Sequence, residues 1–522
     1  MSGLNFLLNP QTPSTVPLSS EYVFPSQSTR CFKSTVKYLP KDNVTYYSST
    51  TTGQLIKFNL PASGYLNPCE TVLNFNVQVA GTFSASASTI NLALQDNIQS
   101  IFRRCRILYG SLVLEDIQDY ATLCRILTLC TAPPRAHRTQ IGMMDGVGRF
   151  GKRLNYHSIT YNATQPNLST VRRYSCQLFT GLFMQRKLIP LKWMSSQLQI
   201  ELELAPASET IELFTANAGT ITNPEIRVSQ VELLAQILEF DTKFDEGVFE
   251  ALQYGLPIQF QSWHCTYQQL YNTQNNLQIQ ERARSVRGAL AVIMDDSLRT
   301  SFNRDWHTFF AAGGALTSVG SNLNDAIGGG TNMAMPLATT VVENYQFRIG
   351  GRYYPAQPVN VTGNGALQVG SSYDVAIANP SPSTEAWFEL QKLFNNLDFK
   401  QTMFNFEELN INNVALTTPY INSPFAARDY NMFSPNSGVY NPLFEVDGTA
   451  GKLDYSNSFI IAGDFATDRG DVISGLNAEE NTDLQLSIKF LNGPVTNKYC
   501  RICIWYDAVI IITRDSGLSL IL

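Results

Sequence analysis

Charged residues are scarce in this chain. Asp, Glu, Lys and Arg make up only 15% of its 522 residues, and the formal net charge at pH 7 is −6. Soluble domains usually contain about 25% charged residues. A protein whose main task is to wrap nucleic acid would be strongly basic, so the composition excludes that class. Strands whose outer faces meet other protein, together with long polar loops, would produce this composition.

Long hydrophobic runs are also missing. The most apolar run, Ala508–Ile512, is far too short to cross a bilayer, so we expect no transmembrane segment. The start, Met1–Pro10, lacks the basic region and apolar run of a secretory signal. Ser2 stands where N-myristoylation requires Gly. The nine cysteines have no regular spacing, which predicts free thiols in a reducing compartment, the cytoplasm or nucleus.

Residues with catalytic or metal-binding chemistry lack the spacing that such chemistry needs. The four histidines form no H-E-x-x-H motif, and no G-x-S-x-G elbow occurs. The segment Gly146–Gly151 matches G-x-G-x-x-G, but Arg153 stands where a P-loop needs Ser or Thr. Cys500 and Cys503 have no second pair to complete four metal ligands. We therefore predict no catalytic, cofactor-binding or metal-binding residues, and no cofactor.

One basic segment, Arg135–Arg153, holds most of the local positive charge, and Arg172 and Arg173 follow it. It could contact phosphate, or it could be an ordinary loop that pairs with acidic neighbours at a subunit contact. Few aromatic residues lie between the cations, and single-stranded nucleic acid is bound by stacking bases on such rings. The sequence therefore favours the loop over a nucleic-acid site.

Alternating apolar and polar residues are abundant. In Gln197–Ala205 (QLQIELELA) and in Asp483–Leu491 (DLQLSIKFL) every second residue is apolar. A period of two places one set of side chains on each face of a strand, so both peptides predict half-buried β-strands. Each is followed by a second strand-like run, Ile226–Asp241 and Tyr499–Asp515. One β architecture is therefore expected to occur twice.

The repeat extends upstream of these strand pairs. Arg106–Leu114 and Phe347–Pro355 both have the pattern strand, Gly turn, strand. A helical pattern follows each hairpin, at Leu114–Cys130 and at Ser383–Leu397. The same order of hairpin, helix and two closing strands in both halves indicates an internal duplication.

The ordered set of segments resembles the double jelly-roll major capsid proteins of double-stranded DNA viruses, most of all those of polinton-like viruses and virophages. The segments that carry the resemblance are Arg106–Tyr120, Leu188–Leu204, Glu343–Pro358 and Leu484–Gly517. The resemblance implies an all-β fold with short helices, in which two eight-stranded jelly rolls stand side by side. It also implies homotrimeric, pseudo-hexagonal capsomers that tile an icosahedral shell, and therefore a location in the virion capsid.

This interpretation divides the chain into three regions. Residues 1–42, rich in Pro and Ser, are expected to form an extended arm, residues 43–246 the first jelly roll and residues 247–522 the second. The loops 311–335 and 355–383 match no known pattern and would lie on the outer surface. The partners expected are further copies of the chain, neighbouring capsomers, and penton and minor capsid proteins, with no specific nucleic acid.

Two other classes of function remain open at the level of sequence. A β-sandwich attachment or carbohydrate-binding protein would use aromatic residues in loops, such as Tyr353 and Tyr354. A glycoside hydrolase on a β-sandwich would need two carboxylates about 5–10 Å apart in a cleft. The paired carboxylates Asp295–Asp296 and Glu479–Glu480 point apart on an extended chain, so the sequence does not favour this class.

Overall fold

The computed structural model is dominated by β-strands. It describes residues 30–42, 45–49, 51–83, 89–94, 98–131, 156–160, 167–214, 221–280, 283–295, 342–360, 384–394, 444–446, 451–453, 460–466, 475–478, 484–490, 498–514 and 517–521.

The first half contains strands β1 to β13. Their bounds are β1 Cys31–Tyr38, β2 Thr45–Ser48, β3 Leu55–Leu60, β4 Tyr65–Phe83, β5 Thr89–Leu94, β6 Phe102–Tyr109, β7 Leu112–Ile117, β8 Tyr156–Thr160, β9 Asn167–Leu168, β10 Arg172–Gln177, β11 Leu198–Leu204, β12 Ile211–Phe214 and β13 Ile221–Phe240. One sheet has the order β1-β13-β4-β10, with β2 extending the line of β1 along β13, and a second sheet has the order β3-β11-β6-β7. All of these neighbours are antiparallel.

The second half contains strands β14 to β24. Their bounds are β14 Leu256–Leu270, β15 Gln274–Ile279, β16 Val286–Asp295, β17 Val342–Ile349, β18 Arg352–Asn360, β19 Phe444–Val446, β20 Gly451–Leu453, β21 Ile461–Asp464, β22 Leu484–Phe490, β23 Lys498–Thr513 and β24 Gly517–Ile521. One sheet has the order β14-β23-β16-β21 and the other the order β15-β22-β17-β18.

Both halves share one topology. We count the eight main strands of each half in chain order. In both halves, the strands of one sheet lie side by side in the order first, eighth, third, sixth, and those of the other sheet in the order second, seventh, fourth, fifth. Two four-stranded antiparallel sheets connected in this way form a jelly roll. We call the two halves roll 1 and roll 2. The internal duplication and the fold class predicted from the sequence are confirmed.

The core of each roll lies between its two sheets. On β11, Leu198, Ile200, Leu202 and Leu204 are buried, and on β22 the buried set is Leu484, Leu486, Ile488 and Phe490. The predicted period of two is therefore confirmed in both strands. Phe75 on β4 and Phe102 on β6 meet edge to face, with ring centroids 5.6 Å apart, which joins the two sheets of roll 1.

The hairpin between the fourth and fifth strands is as predicted in both rolls. Gly110 has φ +57°, and Gly350 and Gly351 have φ +55° and +79°. Side chains with a Cβ rarely adopt this left-handed conformation, so Gly allows the tight turn. The helical pattern that follows begins later than predicted in roll 1: Leu112–Ile117 is the strand β7, and the helix begins at Tyr120. Pairing with β6 overrides the helical spacing of Leu114 and Ile117.

Short helices occupy the connections. They are α1 Tyr120–Thr131, α2 Gly181–Met184, α3 Ala207–Thr210, α4 Thr242–Tyr254 and α5 Thr384–Leu393, with 3-10 turns at Ile98–Ile101 and Leu191–Trp193. Asp241 caps α4, because its side chain accepts a hydrogen bond from the backbone N–H of Phe244. Helix α4 joins the two rolls, and the predicted division at 246/247 falls within it.

Two expectations need correction. Residues 31–38 of the predicted arm form β1, which pairs along its whole length with β13; the arm's extended character fits a strand at the sheet edge. The predicted loop 355–383 begins inside β18, because Pro355 and Pro358 lie on an edge strand, where Pro is tolerated. The loop 311–335 and residues 361–383 lie outside the described residues.

Candidate assembly interface

The two rolls meet where an edge strand of one faces an edge strand of the other. Strand β7 pairs with β6 and β14 pairs with β23, and helix α2 of roll 1 packs on β14. Gly181 lies so close to β14 that a Cβ on it would stand 1.9 Å from the backbone oxygen of Gln261. Only Gly fits this approach. At this point of the junction the backbone of α2 therefore packs directly on the backbone of β14.

Glu115 on β7 lies at the centre of this junction and is buried. One carboxylate oxygen accepts hydrogen bonds from the N–H of Gly181, at 2.8 Å, and from the hydroxyl of Ser262 on β14, at 2.6 Å. The other oxygen accepts one from the N–H of Leu182, at 2.8 Å. This carboxylate thus links the start of α2 in roll 1 to the first strand of roll 2.

The pKa of the Glu115 carboxyl is shifted by its surroundings. Burial raises the pKa of its carboxyl to about 7, although the hydrogen bonds from Ser262, Leu182 and Gly181 lower it. Burial raises the pKa of the Cys105 thiol, and the nearby charge of Glu115 raises it further. A sequence pattern could not reveal Glu115, because its partners lie 66, 67 and 147 residues away.

A second charged contact crosses the junction. Arg501 on β23 of roll 2 lies 3.4 Å from the carboxylate of Asp119, which follows β7 in roll 1. The Arg501 side chain is buried, and its guanidinium also lies 6.0 Å from the ring centre of Tyr267. This ion pair joins the two rolls, with the Arg501 side chain 4% exposed and the Asp119 side chain 25% exposed.

Helix α4 adds a polar and aromatic contact beside the junction. Asp245 accepts a hydrogen bond from the Tyr65 hydroxyl, at 2.7 Å, and pairs with Lys192 at 2.5 Å. Phe249 of the same helix lies 5.1 Å from the Trp193 ring and under the guanidinium of Arg514, at 4.3 Å. The linker is therefore fixed to both rolls.

Roll 2 contains a buried ion pair inside its first sheet. Arg287 lies 3.3 Å from Asp507, which also accepts a hydrogen bond from Ser285 at 2.6 Å. The Arg287 guanidinium lies 5.4 Å above the Trp505 ring, which stacks on Trp263. The charges are compensated, so the arrangement is structural and leaves no reactive group free.

The outer face of the second sheet in roll 1 carries a ladder of paired charges. Glu201 on β11 lies between Lys57 on β3 and Arg106 on β6, at 2.8 and 2.5 Å. Arg104 and Asp116 pair beside them at 2.5 Å. This accounts for the alternation of Glu with apolar residues that the sequence shows in β11.

Two sheet edges carry exposed apolar side chains. On β1, Phe32 is 66% exposed, and Leu39 just beyond it is 68% exposed. On β18, Tyr353 is 54% exposed. Within the described residues β1 pairs only with β13 and β18 only with β17. These are the first strand of roll 1 and the fifth strand of roll 2.

The residues and segments that the sequence suggested as candidate sites lie in different parts of the chain. Gly146–Gly151 and the basic segment 135–153 lie outside the described residues. Arg173 on β10 pairs with Glu232 on β13, across the intervening strand β4, at 3.0 Å, so this cation is engaged within the chain. Tyr354 packs edge to face on Phe465, and only Tyr353 of that pair is largely exposed. Among the described residues no group of His, Cys, Asp or Glu is arranged to hold a metal ion, and no helix is long and apolar enough to span a membrane.

The expectation that all nine cysteines are free thiols is wrong for one pair. Cys265 on β14 and Cys503 on β23 are directly opposite each other and form a disulfide, with a Cα–Cα distance of 4.1 Å. They are 238 residues apart in sequence, so only the pairing of the first and eighth strands brings them together. Five further cysteines are buried and form no disulfide, namely Cys105, Cys124, Cys130, Cys176 and Cys500.

Comparison with solved structures identifies this architecture. The Faustovirus major capsid protein has a TM-score of 0.54 at 9% identity, over 96% of this chain and 93% of that one. A structure of the Sputnik virophage has a TM-score of 0.51 at 12% identity, over 98% and 92%. A PBCV-1 virus capsid model has a TM-score of 0.51 at 10% identity, over 97% and 99%. The sequence matches no protein-family model and no curated protein.

The topology defines the class of fold, two jelly rolls in tandem. The likeness over nearly the whole chain makes it the double jelly-roll fold of viral major capsid proteins, as the sequence predicted.

Proposed function

We propose that this chain is the major capsid subunit of a double-stranded DNA virus, and that three copies form a pseudo-hexagonal capsomer that tiles an icosahedral shell. The observation that carries the proposal is the pair of equivalent rolls held at a fixed junction by Glu115, Ser262 and the Gly181 contact. The likeness to capsid proteins extends over the whole pair and not over one roll alone.

The composition supports a structural role. With 15% charged residues the chain has much uncharged polar and apolar surface, and the edges β1 and β18 expose aromatic side chains. Large obligate interfaces between subunits bury such surfaces. The attachment or carbohydrate-binding alternative is not favoured, because Tyr354, one of its two aromatic candidates, packs on Phe465 inside the chain.

Electron microscopy and mass photometry of the purified protein test this function. We expect a species of three times the 58.1 kDa chain mass, with a pseudo-hexagonal outline in class averages. Only monomers at micromolar concentration would argue against a capsomer. Specific binding on a glycan array by a monomer would favour the attachment protein instead.

The N-terminal region and the further partners belong to the same proposal. Residues preceding β1 contain the apolar side chains Leu4, Phe6, Leu7 and Leu8 among prolines. We place this segment on the inner side of the shell or between capsomers, where neighbouring capsomers and penton or minor capsid proteins would cover it. A first roll that begins at β1 and a division between the rolls at 246/247 are part of this proposal.

A further inference from the structure

We propose that the Cys265–Cys503 disulfide is a redox-controlled lock on the contact between the two rolls. As a disulfide, the pair fixes β14, the strand that receives roll 1, to β23, an inner strand of the same sheet. As two thiols, it leaves β14 able to open locally. The lock lies within a single chain, so it goes beyond the proposed function and does not depend on how many copies form a capsomer.

Strand β14 carries the roll 2 side of the junction although it is an edge strand. Within the described residues it pairs only with β23. Its other side receives roll 1 through the hydrogen bond from Ser262 to Glu115 and through the close approach of Gly181 to Gln261. Part of the hold of roll 1 on roll 2 therefore depends on the pairing of β14 with β23.

The disulfide crosses this pairing between two contacts that reach roll 1. On β14, Ser262 lies just before Cys265. On β23, Arg501 lies just before Cys503 and pairs with Asp119 of roll 1. The two cysteines are directly opposite each other, with Cα atoms 4.1 Å apart, so the bond joins the strands at the register that they already have.

Roll 1 has no such bond at the equivalent place. Its first and eighth strands are β1 and β13, and Cys31, the only cysteine on β1, lies opposite Phe240. Strand β1 is not part of the junction, which roll 1 forms with β7 and α2. Of the two equivalent strand pairs, the one that holds the neighbouring roll is therefore the one with a crosslink.

Thiol–disulfide exchange with a low-molecular-weight disulfide, such as oxidised glutathione, closes the lock. The thiolate of one cysteine attacks a sulfur of the oxidant, which forms a mixed disulfide and releases one small thiol. The thiolate of the other cysteine then displaces the second small thiol. Two protein thiols are thus oxidised and one oxidant molecule is reduced to two thiols. A reducing compartment keeps such a pair as thiols, and an oxidising medium outside the cell favours the bond.

Burial makes the closed lock resist reduction. Cys265 and Cys503 are each 1% exposed, so a small thiol reaches their sulfur atoms only when β14 opens locally. Two thiols permit this opening, whereas the disulfide opposes it by joining the strands. We therefore expect slow oxidation of the folded protein and still slower reduction.

Hydrogen–deuterium exchange of the full-length protein tests the lock in its two redox states. One sample is kept in dithiothreitol from cell lysis onward, and the other is incubated with oxidised glutathione. Differential alkylation and mass spectrometry establish the state of Cys265 and Cys503 in each. We expect the amides of β14 and of the start of α2 to exchange roughly tenfold faster in the reduced sample, because no crosslink limits local opening. The amides of β11, in roll 1, are expected to exchange equally in both.

Two variants show which cysteines are responsible. The double variant Cys265→Ser with Cys503→Ser keeps every other cysteine and is expected to exchange at the reduced level in both samples. The matched control, Cys500→Ser, removes a buried cysteine of the same strand that forms no disulfide, and is expected to keep the full redox response.

The wild-type comparison alone decides the inference, even where a variant fails to fold. Equal exchange in the two wild-type samples would overturn the lock, as would a glutathione-treated protein in which both cysteines remain thiols. A redox response that persists in the double variant would assign it to other cysteines and would also overturn the lock. These measurements concern contacts within one chain, so failure of the lock and failure of the proposed capsomer are distinguishable.

Discussion

At the scale of single residues, the buried carboxyl of Glu115 predicts a dependence of stability on pH. Its pKa is raised from 4.5 to about 7, so between these values the folded state binds a proton that the unfolded state has released. The contribution of Glu115 to the free energy of unfolding is therefore largest below pH 4.5 and falls as pH rises to 7, by about 3 kcal/mol.

The measurement is urea unfolding at fixed protein concentration at pH 5 and pH 8, with Glu115→Gln as comparison. The wild type is expected to lose more stability than the variant over this range, because Gln cannot ionise. The neighbouring titratable groups, Cys105 and Asp116, are present in both proteins. An equal loss in the two would show that Glu115 does not titrate in this range.

A substitution at Ile510 tests the position of the long strand β23. It is 2% exposed on β23, which lies between β14 on one side and β16 and β24 on the other. Ile510→Asp would bury an unpaired charge and is expected to cost several kcal/mol, on the order of the whole stability of a domain. We expect loss of soluble trimer on gel filtration. The control is Ile521→Asp on β24, which is 38% exposed and is expected to leave the yield near the wild-type level.

At the scale of elements, two N-terminal truncations, one that keeps β1 and one that removes it, are expected to behave differently. Removing residues 1–29 leaves β1 in place and is expected to keep trimers intact while shell assembly fails, because this region is proposed to contact other capsomers. Removing residues 1–38 also takes away the strand that covers β13 between Leu233 and Phe240. That variant is expected to lose the trimer as well. Gel filtration and electron microscopy of both proteins check this, and loss of trimers in the shorter truncation would place residues 1–29 inside the roll.

The sequence predicts the elements whose signal is local. The alternation of apolar and polar residues predicted β11 and β22, and the glycines predicted both hairpins. Both signals are contained within a few neighbouring residues. The predicted start of α1 was wrong, because Leu112–Ile117 pairs with β6 as a strand although its apolar residues have helical spacing. Glu115, Arg501 and the Cys265–Cys503 disulfide could not be predicted, because their partners come from distant strands that only the tertiary fold brings together.

At the scale of the whole molecule, the charge predicts weak contact with the genome. A net charge of −6 repels phosphate at long range, and Arg173 is already paired with Glu232. The basic segment 135–153 contains four Arg and one Lys, which could support only salt-sensitive and non-specific contact with DNA. A subunit of this kind would leave genome packaging to other proteins.

A gel-shift titration of trimers with duplex DNA decides whether the basic segment faces the genome. At about 150 mM salt we expect no shift at micromolar protein, because so few phosphate contacts are largely lost to counterions at that concentration. A variant with Arg135, Arg138, Arg149, Lys152 and Arg153 changed to Ser serves as the comparison. Sub-micromolar binding by the wild type that this variant lacks would make residues 135–153 a genome-binding surface, whereas equal weak binding by both would leave them as a loop that pairs with acidic neighbours.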